Sequence, residues 1–219
     1  MLGLLAFGVV LPMLIGVVAH GLPRRAQTFY RGVLFLPVLI SPIAAATLWS
    51  FLLAPNGGAV NSLLGHVGVS SRNWLFDPVT SQGSLIMIAG WKILGASVLI
   101  VIAGLAAIGP EYHQAASLDG AGPVRRLTEI TIPLLSPTLV FLVASAVLLA
   151  EGQIMFPMID ALTSGGQGTT DIYYLLYSFG FTSFDVGLAS AAAVLFFLAF
   201  AAIAVPCLSL LDRFSRNQG

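Results

Sequence analysis

The sequence alternates long apolar runs with short polar connections. Five runs approach or reach the roughly 20 residues that a helix needs to cross a bilayer's hydrocarbon core: 2–19, 33–53, 84–108, 134–150 and 186–211. Between the third and fourth lies the one long polar passage, residues 109–133, GPEYHQAASLDGAGPVRRLTEITIP. It predicts two short helices on a glycine hinge. Pro110 suits a first helical position, Glu111 and Asp119 flank that helix, and Gly120 takes the left-handed conformation that ends it. Pro123 then starts a second helix. Pro133, which has no N–H and restricts its predecessor, is expected to close it. The small residues Ala115, Ala116 and Gly120 leave backbone that a partner surface can approach closely. By composition alone the passage reads equally as an ordinary loop between membrane helices.

Composition strengthens the membrane reading. Of 219 residues, 58% are hydrophobic and 8% charged, with a mean hydropathy of +0.97, whereas soluble domains carry about a quarter charged residues. The formal net charge is zero, so no basic field points to nucleic acid. Cys207 is the single cysteine and has no partner for an internal disulfide. The first run reads as a retained helix rather than a signal peptide: no basic segment precedes it, it is long, and no small-x-small cleavage site follows.

Arginine placement orients the chain. Arg24, Arg25 and Arg31 follow the first run, Arg125 and Arg126 lie in the polar passage, and Arg213 and Arg216 end the chain; the intervening loops hold only Arg72. Cytoplasmic loops carry the excess of Lys and Arg, so the N-terminus is expected outside, the C-terminus inside, and residues 109–133 in the cytoplasm.

Several positions inside the apolar runs bear on chemistry. Pro12 interrupts the first run, and Pro37 and Pro42 are read as kinks in the second. In the third, Lys92 follows Trp91 about a dozen ångströms into the membrane at 1.5 Å per residue. Such a lysine either faces a cavity or snorkels to the interface. Glu151 and Gln153 end the fourth run, with Ser145 about two turns deeper. Glu151 either reaches water or pairs with Lys92 across a polar vestibule. Trp74, Phe76 and Asp77 in loop 54–83 suit a segment resting at the interface or part of a surface that a solute-binding protein touches, and Tyr173, Tyr174, Tyr177, Phe179 and Phe181 suit an aromatic belt more than a sugar-stacking platform. The glycines of loop 160–185 predict a flexible turn. The Ala- and Ser-rich last run suits close helix packing.

Other chemistries find no residues to carry them. No GxxxxGK[ST] motif marks an ATP-binding subunit, and His20, His66 and His113 lack the i, i+4 spacing of a helical metal site. There is no serine nucleophile elbow and no internal repeat, so no catalytic or metal residue is assigned. Neither an inverted repeat nor a broken helix is visible, which disfavours an ion-coupled secondary transporter using Lys92 and Glu151 as a relay.

The spacing Gln114-Ala115-Ala116, Gly120, then Ile130 and Pro133 resembles the EAA loop of binding-protein-dependent ABC importer permeases. The fuller run, with Ile108, Glu111, Asp119-Gly120-Ala121 and Ile130-Thr131-Ile132-Pro133, is similar to the maltose-permease-like branch that carries sugars and glycerol phosphate. Pro37, Pro42, Trp49, the Asn/Gly turn and Asn61-Ser62-Leu63-Leu64 are collinear with it. Three departures stand out. Gln114 replaces the usual glutamate, Gly168 stands where proline is usual, and branch members have a further transmembrane helix before the first run.

The resemblance implies an all-α polytopic membrane helix bundle of the type I ABC importer permease class, with about five spans and one transmembrane domain over 1–219. It implies a multi-pass subunit of the cell (inner) membrane serving a carbohydrate, polyol or glycerol-phosphate importer. Glu111, Gln114, Ala115, Ala116, Asp119, Gly120, Ala121, Ile130 and Pro133 would couple it to the ATPase. Trp91, Lys92, Gly95, Ser145, Glu151 and Gln153 would line the substrate pathway. The implied partners are an ABC ATPase dimer that holds ATP and Mg, a second and homologous permease subunit, an extracytoplasmic solute-binding protein, and lipid. No cofactor is expected on this chain.

Overall fold

The computed structural model describes the backbone of residues 2–216 and is helical throughout, with no strand among them. In order come α1 (Leu2–Leu5), α2 (Leu11–His20), α3 (Arg24–Leu39), α4 (Pro42–Leu52), α5 (Ala59–His66) and α6 (Ser81–Ala107). Then follow α7 (Pro110–Leu118), α8 (Pro123–Arg126), α9 (Ile132–Ala150), α10 (Phe156–Leu162), α11 (Ile172–Tyr177) and α12 (Val186–Arg216). Wide π-helical turns fill Ala6–Val10, Leu127–Thr131, Glu151–Met155 and Ser178–Thr182.

Three of these wide turns share one cause. Each ends two residues before a proline: Pro12, Pro133 and Pro157. A proline in a helix lacks a donor and drives its ring into the carbonyl four residues earlier. That carbonyl belongs to Gly8, Glu129 or Gln153, the middle residue of the turn in every case. Re-pairing one residue further on moves it aside, as when Leu11 N–H bonds Ala6 O and Ile132 N–H bonds Leu127 O. Pro133 therefore does not close the second hairpin helix, contrary to the sequence expectation. The helical path runs through it, giving a candidate span over Pro123–Ser145.

The apolar runs meet the membrane requirement unevenly. Among the described residues, Ser81–Ala107 and Pro123–Ser145 each suffice alone by length and composition, and Gly3–Ala19 and Val186–Ala202 are apolar over the shorter stretches described. The second run differs from its expected single span. It is two helices, Arg25–Leu39 and Pro42–Leu52, bent by 97°. A broken helix is thus present where the sequence suggested only kinks.

The chain forms two compact units, divided after Thr169. In the first, α6 is the axis. Its 27 residues span about 40 Å at 1.5 Å per residue, and α2, α3 and α9 pack along it. Val101 and Leu105 join Leu135 and Leu142 of α9 in one buried cluster, and Val98 and Ile102 join Ala19 of α2 in another.

Loop 54–83 is organised by Asn61, a residue the sequence marked only as part of the family resemblance. Asn61, buried on α5, donates to Ala54 O (3.0 Å) and Arg72 O (2.9 Å). Its Oδ1 accepts from Arg72 N (3.2 Å) and Trp74 Nε1 (2.8 Å). Trp74 is thereby fixed to α5 through its indole N–H. Loop 160–169 is likewise a bonded turn rather than a flexible one: buried Thr163 and Thr169 share a 2.7 Å hydroxyl bond, and Ser81 Oγ donates to Gln167 O at 3.1 Å. Gly168 sits at φ +74°, a conformation closed to the proline usual at this position.

In the second unit, Asp171 caps α11 by accepting Tyr174 N–H at 2.6 Å. Burial raises its carboxyl pKa, against the lowering effect of that bond. Tyr177 stacks on Phe181 at 5.2 Å and Tyr173 meets Phe196 edge-on at 5.5 Å.

Candidate functional site

The polar hairpin is a closed local fold. Gly109 precedes α7, with Pro110 in its first turn. The helix ends in a Schellman motif: Ala121 N–H bonds Ala116 O (2.9 Å), Gly120 N–H bonds Ser117 O (3.3 Å), and Gly120 lies at φ +73°. Ala116 and Ala121, the two positions where such a motif favours apolar residues, are 6% and 8% exposed. Arg126 then donates through Nε to Ala121 O at 2.7 Å, and Thr131 Oγ1 to Arg126 O at 3.2 Å, which ties the second arm to the end of the first.

The spacing of the motif residues thus has two meanings. Ala116 and Ala121 point inward and hold the hairpin together, while Gln114, Ala115, Asp119 and Gly120 are exposed, as is Pro133; Ile130 is half-buried. Gly120 owes its identity within this chain to its backbone angle, since a Cβ there would meet nothing within 4 Å. The Glu111 carboxylate folds back over Gly109, where an added Cβ would lie 1.9 Å from Oε1, in keeping with an acidic group at a helix N-terminus.

Three apolar side chains missed at the sequence level share the exposed surface: Leu118 (90% exposed), Val124 (73%) and Tyr112 (50%). The available signal was spacing, because Leu118 stands one helical turn from Gln114 and Ala115. A cleft of about 570 Å³ opens where the hairpin meets α6, walled by Leu105, Ala106 and Ile108 on one side and Gln114, Ser117 and Arg126 on the other. Arg125 and Glu129 form an exposed 2.8 Å ion pair, which adds little to stability because water competes for both groups.

Half of the expected pathway residues come together on α6. Trp91 meets Trp49 of α4 edge-on at 5.7 Å. Lys92, 5% exposed, donates through Nζ to Pro37 O at 3.1 Å and also to Ile40 O. Gly95 lies against α3, so close that an added Cβ would sit 1.8 Å from Leu34 O. One turn of α6 therefore touches α4, the break and α3 in succession. Lys92 bonds backbone carbonyls here, where the sequence left open a cavity, the interface or Glu151. The Glu151 side chain lies outside the described residues. Ser145 is half-buried on α9 and Gln153 is exposed in the wide turn that follows. Among the described residues no group of three His, Cys, Asp or Glu side chains gathers to hold a metal.

Among the described residues the chain is an all-helical bundle with a two-helix hairpin between two helices long and apolar enough to cross a membrane, and known structures share the fold. The chain superposes on a bacterial ABC transporter involved in the import of the acidic polysaccharide alginate with a TM-score of 0.81, covering 97% of this chain and 74% of that one at 24% identity. A bacterial alginate ABC transporter in complex with an alginate pentasaccharide-bound periplasmic protein gives 0.80, with 97% and 73% covered at 24% identity. At that identity the likeness shows the fold. No protein-family model matches the sequence. The sequence is 36% identical over 174 residues to the sn-glycerol-3-phosphate transport system permease protein UgpA of Escherichia coli O157:H7, covering 78% of this chain and 58% of the relative. It is 33% identical over 198 residues to the Yersinia pestis bv. Antiqua (strain Antiqua) protein of the same name, covering 89% and 66%. The chain belongs to the ABC importer permeases of the binding-protein-dependent sugar and glycerol-phosphate transport family. It spans 58% and 66% of the length of these two relatives.

Proposed function

We propose that this chain is the membrane-spanning permease subunit of an ATP-driven importer for a carbohydrate, polyol or glycerol phosphate. The hairpin carries the reading: its inward alanines fix its shape while Gln114, Ala115, Leu118, Asp119 and Gly120 face outward. A short rigid helix presenting small and apolar residues suits a partner's groove. On this reading an ATPase subunit docks there, and its ATP-driven closure moves the hairpin and, through α6 and α9, the bundle. The arginine distribution supports a cytoplasmic hairpin and C-terminus with the N-terminus outside. A second permease subunit, an ATPase dimer and a solute-binding protein complete the assembly. The chain itself binds no cofactor and catalyses no reaction, since ATP and Mg belong to the ATPase. Trp91, Lys92 and Gly95 support the pathway from the α6 side, and Ser145, Glu151 and Gln153 contribute from α9 and the turn after it.

Co-purification with an ABC ATPase and ATP-dependent uptake in reconstituted vesicles test the proposal. Uptake driven by an ion gradient without ATP would sink it. A finer prediction concerns the missing glutamate. A charged group makes the stronger contact, so Glu111→Ala is expected to lower ATPase affinity about tenfold and Gln114→Ala about threefold. Equal losses in a titrated pull-down would remove Glu111 from the docking role.

A further inference from the structure

The break between α3 and α4 has its own backbone accounting. In an unbroken helix Ser41 N–H would bond Pro37 O and Ala44 N–H would bond Ile40 O, each four residues back. Neither bond belongs to the break as built. Ala44 N–H is taken by Ser41 Oγ (3.2 Å), and Ala45 N–H by Ser41 O (2.9 Å). Pro37 O keeps only a 3.4 Å bond from Ile40 N–H within its own chain segment. Of the four carbonyls at residues 37–40 that the end of α3 leaves without regular donors, Lys92 Nζ reaches two, those of Pro37 and Ile40.

We propose that Lys92 is a positioning residue: its Nζ replaces two of the lost N–H donors, at Pro37 O and Ile40 O, and thereby pins the 97° break of α3–α4 to α6. Apolar surroundings leave an orphaned carbonyl no water to fall back on, so a broken helix inside a membrane needs such a donor. The two carbonyls also end α3, where the helix dipole presents its negative pole to the lysine. The neighbouring residues of α6 serve the same joint from either side: Trp91 against Trp49 on α4 and Gly95 against Leu34 on α3. Ser41 supplies the complementary half, an acceptor for the N–H that the break releases at the start of α4. The inference rests on reading the chain as a transport permease for its consequence, and on geometry alone for the pin.

The experiment measures the break and the transport separately, in the assembled complex in lipid nanodiscs. Spin labels replace the exposed Val33 of α3 and Leu48 of α4 in a background where Cys207 is serine. Lys92→Met is expected to broaden or shift the label-to-label distance, Lys92→Gln to do so less, and Lys92→Arg to restore the native distribution. Ser41→Ala is expected to broaden it in the same sense. Maximal ATP-dependent uptake should fall about tenfold in Lys92→Met with the substrate KM unchanged, because what is lost is geometry rather than a substrate contact. An unchanged distance in Lys92→Met overturns the pin. So does a native distance with a raised KM, which would make Lys92 a substrate contact instead. If Lys92→Met fails to accumulate, Lys92→Gln carries the distance measurement, and a native distribution there overturns the proposal equally. Absence of uptake by the wild-type complex would count against the transport reading alone, because the distances are read without it.

Discussion

Replacing Gly95 by alanine is expected to lower the thermal midpoint of the purified protein by roughly 6–12 °C, the equivalent of about 3 kcal/mol in a chain of this size. The cause is backbone against backbone. A Cβ on Gly95 would lie 1.8 Å from Leu34 O, 2.6 Å from its carbonyl carbon and 3.1 Å from Phe35 Cα. No rotamer change relieves that overlap, so α3 has to move off α6 and take the break with it. The bonds from Lys92 to Pro37 O and Ile40 O are stretched by the same displacement. Gly32→Ala is the control. That position is also on α3 but is exposed, with nothing within 4 Å of an added Cβ, and alanine there is favoured by roughly 0.5–1 kcal/mol for its helix propensity. The variant should match or exceed the wild-type midpoint. Equal midpoints for Gly95→Ala and Gly32→Ala would mean that the α3–α6 crossing has slack.

What the sequence disclosed follows from the range of the interactions involved. The hairpin was legible because its determinants are local. Pro110, Gly120 and Pro123 mark turn, hinge and restart within 14 residues, and the Schellman bonds span at most five. The inward role of Ala116 and Ala121 was not legible, because two alanines read alike whether they pack or expose backbone. Prolines proved equivocal for a definite reason. Pro12, Pro133 and Pro157 are absorbed by wide turns within continuous helical paths, whereas Pro42 begins a new helix at a 97° bend. The groups bonded at that break include Ser41 and Lys92, and Lys92 lies 55 residues from Pro37. No local pattern reports a donor that distant. The bonding role of Asn61 was not legible either, since its partners Arg72 and Trp74 lie 11 and 13 residues away across a loop with no periodicity.

Gly120→Leu is expected to abolish ATP-coupled uptake while the protein still inserts and retains its bundle. Two effects act at this position, and a series of side chains separates them. Any residue with a Cβ pays for φ +73°, about 1–2 kcal/mol, and asparagine pays less because it tolerates the left-handed region. Strain alone therefore predicts that alanine and leucine lose equally and that asparagine loses least. Docking adds a term that grows with volume. An added Cβ at Gly120 meets nothing of this chain within 4 Å, so on the proposed docking a loss that grows with side-chain volume is the signature of a partner surface. With Leu118 fully outward one step before Asp119, the partner surface has to pass close to the turn for Leu118 to be buried. We expect uptake per ATP hydrolysed to fall in the order Gly, Asn, Ala, Leu, with the drop from alanine to leucine the largest. Leu118→Asp, placed on the same surface without any backbone strain, should weaken ATPase association as well. Equal coupling ratios for Gly120→Ala and Gly120→Leu in proteoliposomes would assign the glycine wholly to the Schellman turn and remove close backbone docking from the mechanism.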